Sequence, residues 1–209
     1  MRILIADDHA VVRHGIRRIL ADEFSGVVFG EAGTTQDAIA QLWDHNWDVI
    51  ILDISMPGRS GMDVLAETRK RQSKTPVLVL SMHPEDQFAM RVLKSGAAGY
   101  MTKETAPEAL IDAVKKVIAG GRYVSPTLGE RMASFIGLDF ESPPHEALSN
   151  REFQVLRMIA SGMTVGEVGK ELDLSVKTVS TYRSRILEKM VMRTNAELTH
   201  YAIQNRLVE

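Results

Sequence analysis

The run Val49-Ile50-Ile51-Leu52 leads directly into Asp53 and sets the architecture of the first half of this chain. Four consecutive apolar residues, without the alternation of a half-exposed strand, are typical of a strand that is buried on both faces. Such strands form parallel sheets, in which helices cover both faces. The run therefore predicts the interior of a parallel α/β sheet, with Asp53 at the end of a buried strand.

Four shorter apolar runs lie on either side of this one, and each is followed by a polar turn and a segment with helical spacing. They are residues 3–6, 27–29, 77–80 and 99–101. Capping pairs predict helix starts at Thr34 to Asp37, at Ser60 to Asp63, and at Thr105 to Glu108 with Pro107 in the first turn. Five strand–helix units predict a doubly wound, five-stranded parallel α/β fold of the flavodoxin-like type.

Polar residues follow the predicted strands at the edge where open α/β sheets bind their ligands. The first strand ends in Asp7 and Asp8, the third in Asp53 and the fourth in Ser81, and Lys103 follows the fifth closely. Clustered carboxylates repel one another and favour a hard cation such as Mg2+. We therefore expect a charged site at the carboxyl ends of these strands.

This pattern resembles the receiver domain of two-component response regulators over Arg2 to about Gly121. The resemblance rests on Asp7-Asp8-His9, Leu52-Asp53-Ile54-Ser55-Met56-Pro57-Gly58, Gly96-Ala97-Ala98-Gly99-Tyr100 and Lys103. It implies that Asp53 is the phosphoacceptor for a sensor histidine kinase. It also implies Mg2+ as the cofactor, with these ligands: Asp7, Asp8, Asp53 and the backbone carbonyl of Ser55.

The resemblance gives the remaining groups their roles. Lys103 and the hydroxyl of Ser81 would contact phosphoryl oxygens. Tyr100 would be a half-buried aromatic switch that turns inward when Ser81 is drawn toward the phosphate. The protein would then be a magnesium-dependent phosphoacceptor, able to hydrolyse its own phosphoaspartate, rather than a conventional enzyme.

Two positions depart from the commonest receiver pattern. Met82 stands where a small residue is frequent and would narrow access to Asp53, which argues against small-molecule phosphoryl donors. Glu104 stands where proline is frequent. Ser55 and His83 flank the site and are expected to tune hydrolysis of the phosphoaspartate. The histidines are expected at the surface or in packing rather than as ligands: His9, His14 and His83.

Breakers separate the two halves of the chain. Gly120 and Gly121 follow the predicted helix 106–119, a short helix reaches about residue 136, and residues 137–147 contain Pro143 and Pro144. The predicted organisation is a phosphoacceptor receiver domain at 1–121, a linker with a short helix at 122–147, and a DNA-binding domain at 148–209.

The second half contains no strand-like run and is predicted to be all α. Capping boxes begin the first, second and fourth helices at Ser149, Thr164 and Thr194, and Ser175 caps the third, which runs from Val176 to about Met190. On this third helix Val179, Ile186 and Met190 form a core-facing stripe.

The third helix carries short hydrogen-bonding side chains bordered by basic ones, a pattern that suits the major groove as well as an ordinary surface helix. From Ser149 onward the chain has nine basic and seven acidic residues, against 16 and 20 before it. The candidate DNA-binding residues are Lys177, Thr178, Ser180, Thr181, Arg183, Ser184, Arg185 and Lys189.

Three stretches resemble the LuxR-type helix-turn-helix between Leu148 and about Leu207. They are Leu148-Ser149-Asn150-Arg151-Glu152, residues 159–164 and residues 174–183. Together with the receiver they are similar to the NarL/FixJ family, and most similar to its GacA/UvrY branch. Tyr182 departs from the histidine of many relatives. Gly166 and Gly169 lie inside the second helix, where each glycine is expected to destabilise the helix by about 1 kcal/mol relative to Ala.

The two resemblances together imply a transcription regulator in which phosphorylation of Asp53 controls sequence-specific binding to double-stranded DNA. A homodimer is expected when it is phosphorylated, with the last helix, 195–206, as candidate interface. Four alternatives remain open: an aspartyl-phosphate phosphatase, a phosphorylation-independent regulator, a receiver that serves only protein contacts, and a basic helix that binds protein.

Composition excludes several other classes. The chain is 44% hydrophobic and 25% charged and has no cysteine, which excludes disulfides, thiolate metal sites and cysteine nucleophiles. The sequence has no signal peptide and no apolar run of membrane-spanning length. We therefore expect a cytoplasmic protein with no membrane partner.

Overall fold

The structure is a computed structural model that describes residues 1–56, 61–71, 74–82, 84–105, 107–134 and 143–208, without the side chains of 86, 87 and 131–134. The chain divides into two compact units, residues 1–136 and 137–209. The bounds predicted for the receiver, linker and DNA-binding domains stay a prediction.

The first unit is a parallel five-stranded sheet in the order β2-β1-β3-β4-β5, which confirms the predicted fold. Its strands are β1 (Arg2–Ala6), β2 (Val28–Ala32), β3 (Val49–Leu52), β4 (Val77–Ser81) and β5 (Gly99–Thr102). Its helices are α1 (Ala10–Glu23), α2 (Thr35–Asp44), α3 (Gly61–Lys70), α4 (Glu85–Lys94), α5 (Pro107–Ile118) and α6 (Pro126–Ser134).

β3 lies inside the sheet and is buried on both faces, as its apolar run predicts. Ile51 belongs to the core cluster that β1, β3, β4 and β5 share with α1 and α5. Leu52 alternates to the other face and is also fully buried. Because β3 pairs with β1 and β4 on its two sides, Asp53 leaves the sheet between two neighbouring strands.

The edge strand β2 shows the largest difference from the predicted strands. It spans Val28–Ala32 instead of 27–29, and Val28 is 55% exposed. Within the residues that the structure describes, it pairs with β1 alone, with Val28 opposite Arg2 and Ala32 opposite Ala6. Backbone pairing with β1 therefore extends the strand through Gly30 and Glu31, which lie outside the apolar run 27–29.

Most of the predicted helix ends in the first unit are confirmed. Thr34 Oγ1 accepts a hydrogen bond from Asp37 N at 3.1 Å, and α5 begins at Pro107. Gly120, which follows α5, has the left-handed φ of 84° of a helix stop. The predicted cap at Ser60 and the turn through Pro57 and Gly58 lie outside the described residues, as does His83.

The second unit is helical throughout its described part. A 3-10 turn, Pro144–Ala147, precedes α7 (Asn150–Ala160), α8 (Val165–Leu172), α9 (Val176–Lys189) and α10 (Asn195–Gln204). Complete capping boxes begin α7 at Ser149 and α8 at Thr164. The box predicted at Thr194 is only half right, because the Glu197 carboxylate accepts from Arg193 N at 2.6 Å instead of from Thr194 N.

The core of the second unit follows the predicted stripe, because Val179, Ile186 and Met190 of α9 are buried. α7 packs against both α9 and α10, and α8 packs against α9. α10 ends at Gln204, two residues before its predicted end at Arg206, whose φ is 53°. No helix in the described part of the chain is both long and apolar enough to cross a membrane.

Candidate functional site

Backbone hydrogen bonds hold the predicted site residues at the carboxyl edge of the sheet. Asp53 N donates to Ala6 O at 2.7 Å, and Lys103 N donates to Ser81 O at 2.9 Å. Asp7 N is bound in the same way by Ala32 O of β2, at 3.0 Å. The strand pairing thus continues past the strand ends, and it fixes the main chain of the charged residues before their side chains interact.

Lys103 joins two of the carboxylates. Its Nζ lies 2.6 Å from Asp53 Oδ2 and 2.6 Å from Asp7 Oδ2. The side chain of Lys103 is only 7% exposed, and those of Asp7 and Asp53 are 2% and 1% exposed. One ammonium between two buried carboxylates leaves a net negative charge at this edge, before Asp8 is counted.

Burial perturbs the ionisation of this pair. Burial raises the pKa of Asp53 above its ordinary value, although hydrogen bonds from Lys103 and from Ser55 N act in the opposite direction. Burial acts to lower the pKa of Lys103, but its hydrogen bonds to Asp53 and Asp7 outweigh this and raise that pKa. Lys103 therefore stays charged, and an added cation would favour the carboxylate form of Asp53.

The arrangement of oxygen donors fits a hard divalent cation. Ligand atoms of Asp7, Asp8, His9 and Asp53 all lie within 4.8 Å of one another. Asp53 Oδ1 accepts from Ser55 N at 2.8 Å, so its two oxygens face different groups. Three carboxylates are the kind of ligand that Mg2+ prefers over nitrogen or sulfur.

His9 lies nearer to the carboxylates than the sequence suggests. Its side chain is 65% exposed, as predicted, but its Nδ1 lies 2.8 Å from Asp8 Oδ1 and 3.3 Å from Asp7 Oδ1. His9 N also donates to Asp7 Oδ1, at 2.8 Å. The imidazole therefore borders the site.

The predicted hydroxyl and aromatic residues lie on adjacent strands. Ser81 and Tyr100 are both fully buried. The prediction of a half-buried Tyr100 is wrong, because Tyr100 lies in the middle of β5 opposite Val79 of β4, and its ring points into the protein. Met82, directly after Ser81, is 63% exposed.

The predicted recognition helix, α9, presents its polar face to solvent. Ser175 Oγ caps the helix by accepting from Thr178 N at 3.1 Å. Thr178 is half-buried, and its Oγ1 lies 2.8 Å from Ser175 Oγ. The exposed members of the candidate set are Lys177, Ser180, Thr181, Ser184, Arg185 and Lys189.

Both units match known protein families. Residues 3–115 match the response regulator receiver domain, and residues 146–202 match the bacterial regulatory proteins of the luxR family. Response regulator UvrY of Escherichia coli is 36% identical over 99% of this chain and 95% of its own length. Response regulator GacA of Pseudomonas aeruginosa is 37% identical over 100% of this chain and 98% of its own length.

This chain is a response regulator of the NarL/FixJ family. It combines a receiver domain with a LuxR-type DNA-binding domain, which confirms the family, the two-component class and the fold predicted from the sequence. A structure of RcsB from Salmonella enterica serovar Typhimurium, bound to the promoter rprA in the presence of phosphomimetic BeF3-, is also similar. The match has 28% identity and a TM-score of 0.66, and it covers 96% of this chain and 98% of RcsB.

Two of the basic residues on α9 of this response regulator have partners inside their own unit. Arg183 Nε donates to Asn195 Oδ1 of α10 at 2.6 Å. Lys189 Nζ donates to Glu152 Oε2 at 2.6 Å, and the Glu152 side chain is only 4% exposed. Lys189 thus compensates a buried charge. The sequence identified Glu152 as part of a capping box, but no local pattern points to a partner 37 residues away.

The hydroxyls on α9 are bound to the helix itself. Thr181 Oγ1 donates to Lys177 O at 2.9 Å, and Ser184 Oγ donates to Ser180 O at 3.1 Å. Each hydroxyl oxygen can still accept a hydrogen bond from outside. The exposed face of α9 in the response regulator therefore offers acceptors between the positive charges of Lys177 and Arg185.

Proposed function

We propose that Asp53 accepts a phosphoryl group from a sensor histidine kinase, and that this modification controls how α9 binds double-stranded DNA and thereby transcription. The observation that carries the proposal is the position of Lys103 Nζ, 2.6 Å from both Asp53 Oδ2 and Asp7 Oδ2. A buried ammonium beside a nucleophile suits the transfer of an anionic phosphoryl group.

The side chains divide the work of phosphoryl transfer among them. A carboxylate oxygen of Asp53 attacks the phosphorus and forms the acyl phosphate. At the same time the bond between the phosphorus and the histidine nitrogen of the kinase breaks. Lys103 supplies positive charge to a phosphoryl oxygen, and the Ser81 hydroxyl donates a hydrogen bond to another. Tyr100, buried beside β4, is the proposed switch that responds to movement of Ser81.

Mg2+ is the cofactor that the carboxylates fit. Asp7, Asp8 and Asp53, with the backbone carbonyl of Ser55, would hold it. When bound, it offsets the negative charge on the nucleophile and the phosphoryl group. The single positive charge of Lys103 is shared by the carboxylates of Asp7 and Asp53, so it does not neutralise both. A bound cation would offset the remaining negative charge.

The DNA-binding surface is proposed on the exposed face of α9. Lys177 and Arg185 can meet phosphates, and the short side chains between them can approach base edges. RcsB, which matches 96% of this chain, has been determined bound to promoter DNA, and another structure holds two RcsB dimers on two parallel DNAs. This likeness supports DNA binding by a homodimer of this chain.

The deciding experiment selects bound duplexes from a random DNA pool. Wild-type protein with magnesium and beryllofluoride, a phosphoryl mimic, is compared with Asp53→Asn and with Asp22→Asn, which changes an exposed carboxylate on α1. We expect wild type and Asp22→Asn to enrich the same sites more strongly with beryllofluoride. Asp53→Asn should show no such gain.

Three results would favour other functions. Equal enrichment by Asp53→Asn and wild type indicates a phosphorylation-independent regulator. Turnover of phosphoesters indicates a phosphatase. Binding to the pool with no steep dependence on salt concentration shows that α9 does not engage phosphates, and favours a protein partner.

A further inference from the structure

The chain that follows α5 is attached to the outer edge of the receiver sheet. Tyr123 forms a parallel bridge with Gly99, the first residue of β5. Its N donates to Ala98 O at 2.9 Å, and its O accepts from Tyr100 N at 3.3 Å. Since β5 is the last strand of the sheet, these bonds occupy backbone groups that β4 does not reach.

Gly99 allows the linker to come this close. A Cβ on Gly99 would lie 2.8 Å from Tyr123 O and 2.9 Å from Leu78 Cδ1, both too short for a normal contact. A side chain at this position would therefore push Tyr123 off the strand or displace Leu78. The glycine of the receiver motif thus also serves the attachment of the linker.

A second attachment joins α6 to α4. Ser125, just before α6, donates its hydroxyl to a carboxylate oxygen of Glu85, the first residue of α4. The same Ser125 Oγ accepts from Leu128 N at 3.0 Å, so one hydroxyl both caps α6 and ties it to α4. Ser125 N lies 3.4 Å from the other oxygen of Glu85. Leu128, one turn on, is 3% exposed.

The negative charge of Glu85 also acts on Tyr123, the residue that pairs with the sheet. Burial, with the nearby carboxylates of Asp112 and Glu85, raises the pKa of Tyr123. Tyr123 also packs against the core cluster to which α5 contributes, so this part of the linker is held by more than its two backbone hydrogen bonds. Glu85 binds the linker directly at Ser125 and acts on Tyr123 only through its charge, so a shift of the first turn of α4 would disturb the Ser125 attachment directly.

α4 begins only four positions after Ser81, the hydroxyl proposed to bind the phosphoryl group. We propose that the contact between Glu85 and Ser125 couples α4 to the linker helix α6, so that the linker is held on the edge of β5 and is loosened when Ser81 moves toward a phosphoryl group. This inference rests on the proposed function, because only a group on Asp53 would draw Ser81 in that direction.

Amide hydrogen exchange on the full chain tests the attachment without any phosphoryl group. Ser125→Asp keeps an N-cap acceptor but sets a second carboxylate against Glu85, and Glu85→Ala removes the partner. Both should speed exchange of the amides in 123–130 by roughly 3- to 30-fold, the effect of losing one cap or tie. Thr127→Ala, at an exposed position of the same helix, should not. Unchanged exchange in both variants would overturn the proposal.

Titration with beryllofluoride in excess Mg2+ tests the coupling. Because coupling is reciprocal, Glu85→Ala should bind beryllofluoride several-fold more tightly than wild type, and beryllofluoride should speed exchange of 123–130 in wild type. Equal affinity, or a linker that beryllofluoride does not loosen, means that the contact is only structural and rejects the coupling. If wild type binds beryllofluoride no more tightly than Asp53→Asn does, the proposed function is rejected. The hydrogen-exchange experiment without a phosphoryl group still decides whether the contact between Glu85 and Ser125 holds the linker.

Discussion

Lys103 and Asp53 form a buried ion pair, with Nζ and Oδ2 2.6 Å apart at the carboxyl edge of the sheet. The pair is not balanced, because Asp7 shares the same ammonium and Asp8 adds a further carboxylate nearby. Uncompensated charge in a buried site opposes folding but favours a cation or a proton. The site thus gives up stability in exchange for its chemistry.

The first prediction concerns the ionised form of Asp53. Burial raises the pKa of this carboxyl above 3.8, against the opposing hydrogen bonds of Lys103 and Ser55. Because the pKa of Asp53 is higher in the folded protein than in the unfolded chain, protonated Asp53 favours folding. This contribution to the free energy of unfolding is fully present below pH 3.8 and is lost as pH rises through the pKa of the folded state. Asp53→Asn should therefore be more stable than wild type at neutral pH.

Thermal unfolding of the full chain at a series of pH values measures this difference. The advantage of Asp53→Asn should shrink as pH falls toward 3.8. Asp22→Asn serves as the control, since Asp22 is exposed and lies on α1. A neutral-pH loss of stability in Asp53→Asn would contradict the prediction.

The second prediction concerns Mg2+. An ion that binds only the folded receiver stabilises it by about 2.7 kcal/mol when its concentration is 100 times the dissociation constant. Asp8→Asn removes a proposed ligand and should need more Mg2+ for the same rise in melting temperature. Asp22→Asn should respond as wild type does. Identical Mg2+ titration curves for Asp8→Asn and wild type would exclude Asp8 as a ligand.

The sequence predicted the parts of the receiver that depend on local pattern. Continuous apolar runs gave β3 its bounds, and polar residues at strand ends located Asp7, Asp53 and Lys103. The edge strand β2 was placed less well, because the hydrogen bonds that define it come from β1 and not from its own apolar residues. The pairing of Tyr123 with Gly99 was missed for the same reason.

The third prediction separates two basic residues of α9. Burial acts to raise the pKa of Glu152, but hydrogen bonds from Lys189 and Ser149 hold that pKa below its ordinary 4.5. Lys189→Ala leaves this carboxylate without its charged partner and should destabilise the second unit by about 1–3 kcal/mol. Arg185→Ala, at an exposed position, should leave stability nearly unchanged and reduce the salt dependence of DNA binding by about one unit of slope.

Denaturant unfolding and DNA titration at several salt concentrations measure the two effects. The stability that comes from Glu152 should be present above pH 4.5 and disappear as pH falls through the lowered folded pKa. Glu152→Gln should lack this acid-sensitive loss. If Lys189→Ala instead kept full stability and changed only the salt slope, Lys189 would act in DNA binding rather than in folding.

The fourth prediction concerns strain after α9. Val191 has a left-handed φ of 55° and is 91% exposed. Its N donates to Glu188 O, and Met192 N donates to Leu187 O, the bonding pattern of a helix end that favours Gly or Asn. A β-branched residue is strained in this conformation, by roughly 1–2 kcal/mol.

Val191→Asn should therefore raise the stability of the second unit by about 1 kcal/mol. Val176→Asn makes the same chemical change at another exposed valine, at the start of α9. Val176 is not among the described residues with a left-handed φ. This substitution should bring no such gain. Equal effects of the two substitutions in thermal unfolding would show that polarity, and not backbone strain, is responsible.

In the second unit, the features that the sequence did not predict depend on contacts between residues far apart in the chain or on an unfavourable backbone conformation. Capping boxes and the stripe of Val179, Ile186 and Met190 are local patterns and were predicted. The partner of Lys189 depends on how α7 packs against α9, which no spacing encodes. The left-handed φ of Val191 was missed because the residue type argues against it.

The last prediction uses the two glycines inside α8, to which sequence reasoning assigns the same cost. A Cβ on Gly166 would find only Thr164 Oγ1, at 3.9 Å. A Cβ on Gly169 would lie 2.8 Å from Leu174 O, the backbone that leads into α9. Helix propensity alone favours alanine at both positions, by about 1 kcal/mol.

The two alanine substitutions should therefore have opposite signs. Gly166→Ala should stabilise the second unit by up to about 1 kcal/mol. Gly169→Ala should destabilise it by about 1–3 kcal/mol, because the methyl group forces α8 away from the turn before α9. Denaturant unfolding of each variant measures the difference. Stabilisation by both would show that the turn can move aside, and that close packing between α8 and α9 does not require glycine.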